Sequence, residues 1–386
     1  MIRQHMKISI DVQSLLLGNR TGIGFYQTEI MKALFESESG HEFALQFFAL
    51  GHTQEKMERA KTLFGNNVRI EACHWFSNGI AKRIWLLFPL PYRLFFPEKT
   101  DVSCFFNFTV PPFARGKKAV VVYDTVVKDH PETMNRRTRM VLETTLARSM
   151  RRADRIITIS DFSKRQIMKH YGVSDDKISV VPCGFREDVF NMSYSDEDRQ
   201  RTKDKYGING QYILYLGTLE PRKNIERIVE AYGRLKNENR DCPELVLAGG
   251  KGWLYESIFE RVKSLGIEDS VVFTGYVDDN DVPLLMSGAM IFCFPSLYEG
   301  FGMPPLEAMA CGTPVITSNS TSLPEVVGDA AISIDPCSVD ELSDAMKKLT
   351  ENSSLREELQ QKGLAQCRKF SWKSSADLFM KELESM

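Results

Sequence analysis

Short apolar runs alternate with longer amphipathic segments along most of the chain. This alternation predicts strand–helix–strand units, in which helices cover both faces of a parallel sheet, so the expected fold class is α/β. In the first half, strands are expected at residues 7–11, 43–50, 102–106, 119–123 and 155–159, and helices at 23–36, 136–151 and 161–171.

The same pattern begins again after a polar, charge-dense stretch that ends near residue 209. Strands are expected at 212–216, 245–248, 271–274, 290–294 and 314–317, and helices at 225–236, 254–265, 282–287 and 305–310. We therefore predict two doubly wound, Rossmann-like domains, at 1–190 and 210–370, joined by a linker at 191–209 that contains a short helix. Two such domains would face a central cleft at the carboxyl ends of both sheets, where open α/β sheets bind ligands.

Composition restricts the class of protein. The chain has 386 residues, of which 43% are hydrophobic and 26% charged, and this excludes disordered, collagen-like and small disulfide-scaffold proteins. The net charge is −2, so no global positive field attracts nucleic acid, and we expect no such partner. The eight cysteines form no CxxC pair and the six histidines no HExxH pattern, so we expect reduced cysteines and no metal site.

The sequence does not decide whether this protein contacts a membrane. The sequence has no run of about 18 uncharged apolar residues and no apolar signal core at its N-terminus, which predicts a cytoplasmic protein. Residues 84–96 fit a buried helix that ends at a turn, or a basic–aromatic surface that contacts a bilayer or a lipid-linked substrate. Residues 131–170 hold ten Lys/Arg against four Asp/Glu, which fits a solvated helix or an anionic partner such as a lipid pyrophosphate.

Two glycine-containing segments follow predicted strands. Gly22 and Gly24 open the first long helix, where free N–H groups favour an anion, although an ordinary glycine turn also explains them. The segment from Gly217 to Asn224 (GTLEPRKN) lies between a strand and a helix, and its two adjacent cations suit a diphosphate. We expect Asn224 only to cap the helix that follows.

The most informative segment is 295–314. Glu299 lies at the end of a predicted strand and Glu307 eight positions later in the next helix, with a glycine-rich turn between them. Each carboxylate can accept two hydrogen bonds, which suits the vicinal hydroxyls of a sugar and of a ribose. The alternative interpretation is that Glu299 only complements a helix dipole.

This segment, FPSLYEGFGMPPLEAMACGTPVI, resembles the E-x7-E signature of retaining glycosyltransferases of family 4, which have the GT-B fold. GTLEPRKN resembles their phosphate-binding segment in the form common among bacterial mannosyltransferases, and TGIGFY resembles their glycine loop. The final segment, 371–386, resembles the closing helix of the family, which crosses back onto the first domain. The resemblance is strong over 212–335 and loose before residue 120.

The resemblance implies a role for each matching residue. Arg222 and Lys223 would hold the diphosphate of the donor, Glu299 the transferred sugar and Glu307 the ribose. The other residues expected to bind the donor are Gly22, Gly24, Gly217, Phe301, Gly302, Met303 and Leu306. Residues 276–277 are expected near the base.

One position departs from the family pattern. Many members carry His-Asp where this chain has Tyr123-Asp124, and their histidine lies against the donor sugar. The expected catalytic set is therefore Arg222, Lys223, Glu299, Asp124 and Tyr123, with Asp124 on the acceptor side. The hydroxyl or the carbonyl of Tyr123 would replace the imidazole, unless Tyr123 is only a structural residue.

The resemblance implies a metal-independent retaining glycosyltransferase without a cofactor. Its expected reaction moves a hexose, mannose from GDP-mannose as the first choice, to a glycan or polyprenyl-linked glycan in bacterial polysaccharide or lipopolysaccharide synthesis. Donors linked to UDP or dTDP (glucosyl, N-acetylglucosaminyl or rhamnosyl transfer), a GT-B-fold sugar-nucleotide 2-epimerase and a non-catalytic sensor remain open. Peripheral contact with an anionic membrane also remains open. The sequence makes no prediction about the oligomeric state.

Overall fold

The computed structural model describes residues 5–16, 22–37, 40–65 and 68–386. The chain divides into two compact units, which we call the first and the second domain. The first domain comprises Met1–Cys183 with Trp372–Met386, and the second comprises Gly184–Ser371. Thr21, which begins the TGIGFY segment, lies outside the described residues.

The described part of the first domain contains a parallel sheet of seven strands in the order β3-β2-β1-β4-β5-β6-β7. The strands are β1 (Lys7–Asp11), β2 (Glu42–Phe48), β3 (Arg69–Cys73), β4 (Val102–Phe105), β5 (Lys117–Val121), β6 (Arg155–Thr158) and β7 (Ile178–Val180). Ile8 pairs with Phe43 on one side and with Val102 on the other, so β1 lies in the interior of the sheet.

Helices pack around this sheet. They are α1 (Gly22–Glu36), α2 (Thr53–Phe64), α3 (Asn78–Leu87), α4 (Val126–Asp129), α5 (Arg136–Arg152) and α6 (Asp161–Tyr171). The start of α5 is capped by the Asn135 side chain, which accepts a hydrogen bond from the Thr138 N–H at 2.9 Å. Helix α6 begins in the same way at Ser160 and ends at Gly172, whose left-handed backbone stops the helix.

The described part of the second domain contains six parallel strands in the order β10-β9-β8-β11-β12-β13. They are β8 (Tyr212–Leu216), β9 (Glu244–Ala248), β10 (Val271–Gly275), β11 (Ile291–Phe294), β12 (Val315–Ser318) and β13 (Ala331–Ile334). The helices are α7 (Asp196–Tyr206), α8 (Ile225–Glu238), α9 (Glu256–Leu265), α10 (Val282–Gly288), α11 (Met303–Ala310), α12 (Leu323–Val327), α13 (Val339–Glu351) and α14 (Ser353–Cys367). The near-continuous apolar strands fit a parallel sheet that is covered on both faces.

The last helix, α15 (Trp372–Glu384), is part of the first domain. The Trp372 ring packs edge-on against Tyr26 of α1, with ring centroids 5.6 Å apart, and Phe379 stacks on Phe106 at 5.5 Å. Ser375 Oγ also donates a hydrogen bond to the Pro182 carbonyl at 2.7 Å. These contacts fasten the end of the chain to the domain that contains its beginning.

The domain boundary differs from the expected one at residue 190. Residues 184–209 belong to the second domain, including the segment 191–209 that the sequence assigned to a linker. The reason is a set of polar contacts from α7: Lys205 Nζ lies 2.6 Å from Asp278 Oδ2, and Tyr206 Oη donates to Asp281 Oδ2 at 2.8 Å. The charge density of this segment therefore marks a surface helix of the second domain.

Most predicted elements are present within a few residues, whereas the edge strands β3, β7 and β13 and the helices α2, α4, α12, α13 and α14 were not predicted. In residues 84–96, α3 ends at Leu87, Phe88 is 74% exposed, and Phe95 and Phe96 are buried, while contact of this segment with a bilayer or a lipid stays a prediction. In the part of the chain that the structure describes, no helix has both the length and the apolar character needed to cross a membrane.

Candidate functional site

The candidate site of the second domain lies at the carboxyl ends of β8 and β11, which are neighbours in the sheet. After β8 the chain makes one 3-10 turn at Pro221–Lys223, and after β11 it enters the loop 295–302. The Leu297 N–H donates a hydrogen bond to the Arg222 carbonyl at 2.9 Å and thereby joins the two segments. Sheet topology thus brings together residues that are more than 70 positions apart.

Three predicted site residues meet there. Lys223 Nζ lies 2.7 Å from Glu299 Oε1, and Arg222 Nη1 lies 3.1 Å from Glu299 Oε2. Arg222 is held further by the Tyr298 carbonyl, at 2.7 Å from Nη1, and by Glu220 Oε1, at 2.7 Å from Nη2. We call Glu220, Arg222, Lys223 and Glu299 the cation cluster. Two cations and two carboxylates balance its charge.

Burial and charge act in opposite directions on Glu299, whose side chain is 12% exposed. Burial by itself raises the pKa of this carboxyl, but the charges of Lys223 and Arg222 outweigh it and lower the pKa to about 2. Burial lowers the pKa of the Lys223 ammonium, and the Glu299 carboxylate, 2.7 Å away, opposes this shift. The Lys223 ammonium also lies 4.9 Å from the centre of the Phe294 ring. The pair is therefore charged at neutral pH.

The loop that carries Glu299 is fixed by a residue that sequence reasoning missed. Ser322 is fully buried, and its Oγ lies 2.9 Å from the Glu299 carbonyl and 2.6 Å from the Phe301 carbonyl. Gly302, with a φ of 128°, follows immediately, and a Cβ there would lie 2.7 Å from Leu323 Cδ2. A serine near a strand end carries no sequence signal for such a role, because its partners are about 20 positions away.

Glu307 is in the second turn of α11 and is half-buried. Within the described residues its carboxyl makes no hydrogen bond or ion pair. Burial raises its pKa to about 8, although the Arg186 guanidinium opposes the shift. Glu299 and Glu307 therefore differ in charge state near pH 7, the first being ionised and the second mostly protonated.

The expectation for Asn224 was wrong. Its backbone is left-handed, with a φ of 64°, and its side chain accepts no capping hydrogen bond from the backbone N–H groups at the start of α8. Instead its buried Nδ2 donates to the Pro295 and Pro336 carbonyls, at 2.9 and 2.7 Å. Asn224 thus clamps the segment of Arg222 and Lys223 to two other loops.

The other residues expected to bind the donor lie around the same turn. The side chains of Phe301 and Leu306 are buried, so only their backbone can reach a ligand, whereas Met303 is half-buried. Gly217 follows β8 and lies against Gly249, where a Cβ would come within 2.0 Å of the Gly217 carbonyl oxygen. Residue types with side chains are therefore excluded at position 249.

The predicted residues of the first domain have different surroundings. Gly22 is the exposed first residue of α1, and Gly24 is buried, with no neighbour closer than 3.6 Å to the place of a Cβ. Asp124 is half-buried and its Oδ1 accepts a hydrogen bond from the Val126 N–H at 3.0 Å, at the start of α4. The structure gives Gly24 no steric requirement for glycine.

Tyr123 is a packing residue in this structure. Its ring is 4% exposed and packs against Tyr26 and Phe108, with ring centroids 5.5 and 5.4 Å away. Burial raises the pKa of its hydroxyl well above the usual value, and among the described residues this hydroxyl has no hydrogen-bond partner. Its carbonyl accepts a hydrogen bond from Ser163 Oγ at 2.9 Å. This placement favours the structural alternative, and a catalytic role of Tyr123 stays an untested prediction.

Within the described residues, no group of three or more His, Cys, Asp or Glu side chains is arranged to hold a metal ion. The site consists of the two cations Arg222 and Lys223 and the three carboxyls of Glu220, Glu299 and Glu307. Such a set can bind a diphosphate and sugar hydroxyls.

Two family models match the chain in succession. Glycosyltransferase Family 4 matches residues 21–189 and Glycosyl transferases group 1 matches residues 198–366. The O-antigen chain mannosyltransferase B of Escherichia coli is 34% identical over 92% of this chain and 93% of that protein. The serotype-specific mannosyltransferase WbdA of Escherichia coli is 37% identical over 59% of this chain and 28% of that protein.

Solved glycosyltransferase structures share the fold at low sequence identity. Anabaena HepE, in complex with UDP and glucose, superimposes with a TM-score of 0.75 at 20% identity, covering 99% of this chain and 100% of that one. WaaG, a glycosyltransferase involved in lipopolysaccharide biosynthesis, gives a TM-score of 0.72 at 17% identity, with 97% and 99% covered. Two parallel-sheet domains with this likeness confirm the GT-B fold, and the end-to-end match to a mannosyltransferase shows that the chain belongs to glycosyltransferase family 4 and is a glycosyltransferase.

Proposed function

We propose that this glycosyltransferase moves mannose from GDP-mannose, with retention of configuration, to a polyprenyl-linked glycan in O-antigen-type polysaccharide synthesis. The observation that carries the proposal is the cation cluster at the ends of β8 and β11. The names of the relatives support the sugar, since the two reported above are mannosyltransferases. Likeness to HepE, solved with UDP and glucose, supports a nucleotide-sugar donor.

Arg222 and Lys223 would neutralise the diphosphate as it leaves. In the structure both cations already contact Glu299, so the donor would share them with this carboxylate. A guanidinium and an ammonium held in place by buried partners stabilise developing negative charge without reorganising, which is the source of most electrostatic catalysis. The fixed positions of Arg222 and Lys223 are supplied by Tyr298, Glu220 and Glu299.

Glu299 would accept hydrogen bonds from hydroxyls of the transferred sugar. A carboxyl whose pKa is about 2 is a weak base and a weak nucleophile at neutral pH. We therefore propose substitution on the front face of the sugar, in which the departing diphosphate and the incoming hydroxyl share one side. A double displacement would need a nucleophilic carboxylate, and mass spectrometry with a slow 2-fluoro donor would reveal such an intermediate as a covalent glycosyl adduct.

Glu307 would hold the ribose. A mostly neutral carboxyl can donate one hydrogen bond and accept others, which matches a pair of ribose hydroxyls that both donate and accept. The donor base would lie near residues 276–277, where Tyr276 is 69% exposed at the end of β10.

The test is a thermal-shift panel with GDP, UDP, dTDP and ADP, because a ligand that binds the native state raises the unfolding midpoint. We expect GDP to give the largest shift. A larger shift with UDP or dTDP would mean that the donor is a UDP- or dTDP-linked sugar and not GDP-mannose. No shift with any nucleotide would contradict the proposed site. Donor turnover without an acceptor product would favour an epimerase, and binding without turnover a sensor.

We propose that the reaction needs no metal ion, because Arg222 and Lys223 supply the positive charge for the diphosphate. Adding EDTA in excess should leave the rate of mannose transfer within twofold, as measured by release of GDP. A rate that falls with EDTA and returns with Mg²⁺ or Mn²⁺ would contradict this expectation.

A further inference from the structure

A cavity of about 490 Å³ opens in the first domain, and no residue assigned to the donor lines it. It lies among α3, α5 and the loop 107–111, which follows β4. Its lining contains five cations and no Asp or Glu. These cations are Lys82, Arg83, Arg137, Arg148 and Arg152. We call this space the cationic cavity.

The cations of α5 are arranged on one face of the helix. Arg137, Arg148 and Arg152 are separated by 11 and 4 positions, which places them within about 60° around the axis at 3.6 residues per turn. The first turn of α5 contains arginines and no acidic residue. The positive charges of these arginines are unfavourable there, because the N-terminal end of a helix dipole is itself positive. Burial, followed by the charges of Arg148 and Arg151, lowers the pKa of the Arg152 guanidinium. The field in the cavity is therefore positive.

Two of the five cations have no carboxylate partner among the described residues. Across the described chain, Arg83 and Arg137 make no ion pair or hydrogen bond. Asp11 interacts electrostatically with Lys82 but does not line the cavity. Grouping like charges destabilises a protein, and an anion in the cavity would remove that cost.

The loop 107–111 is fastened to α5. The Val110 N–H donates to Ser149 Oγ at 3.0 Å, and Arg152 Nη1 donates to the Val110 carbonyl at 3.1 Å. Phe108 has a φ of 55°, a left-handed backbone that is strained for an aromatic residue. The loop is thus a fixed wall of the cavity, and the side chains of Asn107 and Thr109 are on it.

The lining also contains apolar side chains beside the cations. Trp85 of α3 and Val141 and Leu142 of α5 lie on it, and the Trp85 indole N–H donates to the Leu90 carbonyl at 2.9 Å, which fixes the ring. The same helices expose Met140, at 66%, and their neighbour Phe88, at 74%. Positive charge beside apolar surface is complementary to an amphiphile that carries phosphate.

We propose that the cationic cavity binds a prenyl pyrophosphate, the lipid-linked end of the acceptor. Its phosphates would contact the cations, and its first isoprene units would lie on Trp85 and Leu142. The volume is in the usual range for small-molecule sites. This inference rests on the proposed function, since the donor site supplies the sugar that such an acceptor receives.

The experiment titrates the full chain with farnesyl pyrophosphate in a calorimeter, with inorganic pyrophosphate and farnesol as partial probes. Farnesyl pyrophosphate should bind at least tenfold more tightly than either partial probe, because each lacks one half of the contacts. In the variant Arg137→Ala/Arg148→Ala its affinity should fall at least tenfold. The control is Arg151→Ala, which removes a neighbouring exposed arginine outside the lining and should change affinity less than twofold.

Equal affinity for inorganic and farnesyl pyrophosphate would overturn the proposal. So would a loss of affinity for farnesyl pyrophosphate in Arg151→Ala that equals the loss in the double variant. A lipid headgroup is the other possible source of phosphate. Sedimentation with anionic phosphatidylglycerol vesicles and with phosphatidylcholine vesicles tests whether the protein binds such headgroups. Binding to anionic vesicles that depends on Arg137 and Arg148, without binding of farnesyl pyrophosphate, would identify a headgroup surface and overturn the proposal.

The thermal shift by GDP is measured on the same preparations. An unchanged GDP shift in the double variant shows that it is folded and that its donor site is intact. If GDP stabilises the protein and farnesyl pyrophosphate does not bind, the cavity inference fails and the proposed function stands. If no nucleotide stabilises it, the proposed function fails by itself, whatever farnesyl pyrophosphate does.

Discussion

The two domains surround their cations differently. In the second domain, Arg222 and Lys223 are paired with Glu220 and Glu299 at 2.7 to 3.1 Å, so the site is electrically balanced. In the first domain, the cationic cavity gathers five cations and has no carboxylate in its lining. A balanced site positions its charges for one reaction centre, whereas an unbalanced one gains stability from any anion that fits. We therefore expect substitutions to act on chemistry in the second domain and on binding in the first.

The largest effect is expected from Glu299→Gln. The amide keeps the shape of the side chain but removes the charge that pairs with Lys223 and Arg222. Transfer of mannose from GDP-mannose should fall at least tenfold in kcat/KM, with the circular dichroism spectrum unchanged. The matched control is Glu220→Gln, which removes a partner of Arg222 alone and should have a smaller effect. Unchanged turnover in Glu299→Gln would mean that Glu299 does not bind the transferred sugar.

Arg222→Ala should act on the diphosphate. Charge-assisted hydrogen bonds to phosphate are lost, so the affinity for GDP should fall about tenfold or more, while the affinity for guanosine changes less than threefold. Calorimetry with both ligands measures this difference. Arg227→Ala is the control, because Arg227 is in the next helix and bonds to Asn224 Oδ1 at 2.7 Å. Equal losses for GDP and guanosine would mean that the diphosphate binds elsewhere.

The charge state of Glu307 gives a pH-dependent effect on stability. Its folded pKa, about 8, is above the value of 4.5 for a free carboxyl, so the folded state holds the proton more tightly. The stability from this group is fully present below pH 4.5 and is lost as the pH rises to about 8. Glu307→Gln, which is neutral at every pH, should therefore have a higher unfolding midpoint than the wild type at pH 8.

The difference in unfolding midpoint should shrink towards zero near pH 5, where Glu307 is protonated in the folded chain. Differential scanning calorimetry without nucleotide, at several pH values, measures it. Glu325→Gln, on helix α12, serves as the control for the loss of a glutamate elsewhere in the second domain. A constant difference across pH would show that Glu307 titrates normally.

The cation cluster was the most predictable part of the molecule because its residues are in short motifs at strand ends. The order of apolar strands placed Arg222, Lys223 and Glu299 at one edge of a sheet, and the structure joins them there. Ser322 and the clamp by Asn224 were not predictable, because they depend on hydrogen bonds to carbonyls far along the chain.

The first domain was less predictable for two physical reasons. The edge strand β3 (RIEAC) alternates charged and apolar residues and lacks the continuous apolar run of the inner strands. The charge excess of α5 was visible in the sequence, but its partner α3 was not, since a cavity depends on how two helices pack. The charges of residues 131–170 therefore left a solvated helix and an anionic partner both open, and gave no place for such a partner.

The smallest effect is expected from Tyr123→Phe, at the position where many family members carry histidine. The buried hydroxyl has no hydrogen-bond partner in the described part of the chain, so removing it leaves nothing unsatisfied. Turnover should stay within twofold and the unfolding midpoint should stay equal or rise slightly. Tyr123→Ala is the contrasting variant: it removes the ring that packs on Tyr26 and Phe108 and should destabilise the first domain by about 3–5 kcal/mol. A tenfold loss of turnover in Tyr123→Phe would return the hydroxyl to the reaction and would mean that this aromatic cluster opens during catalysis.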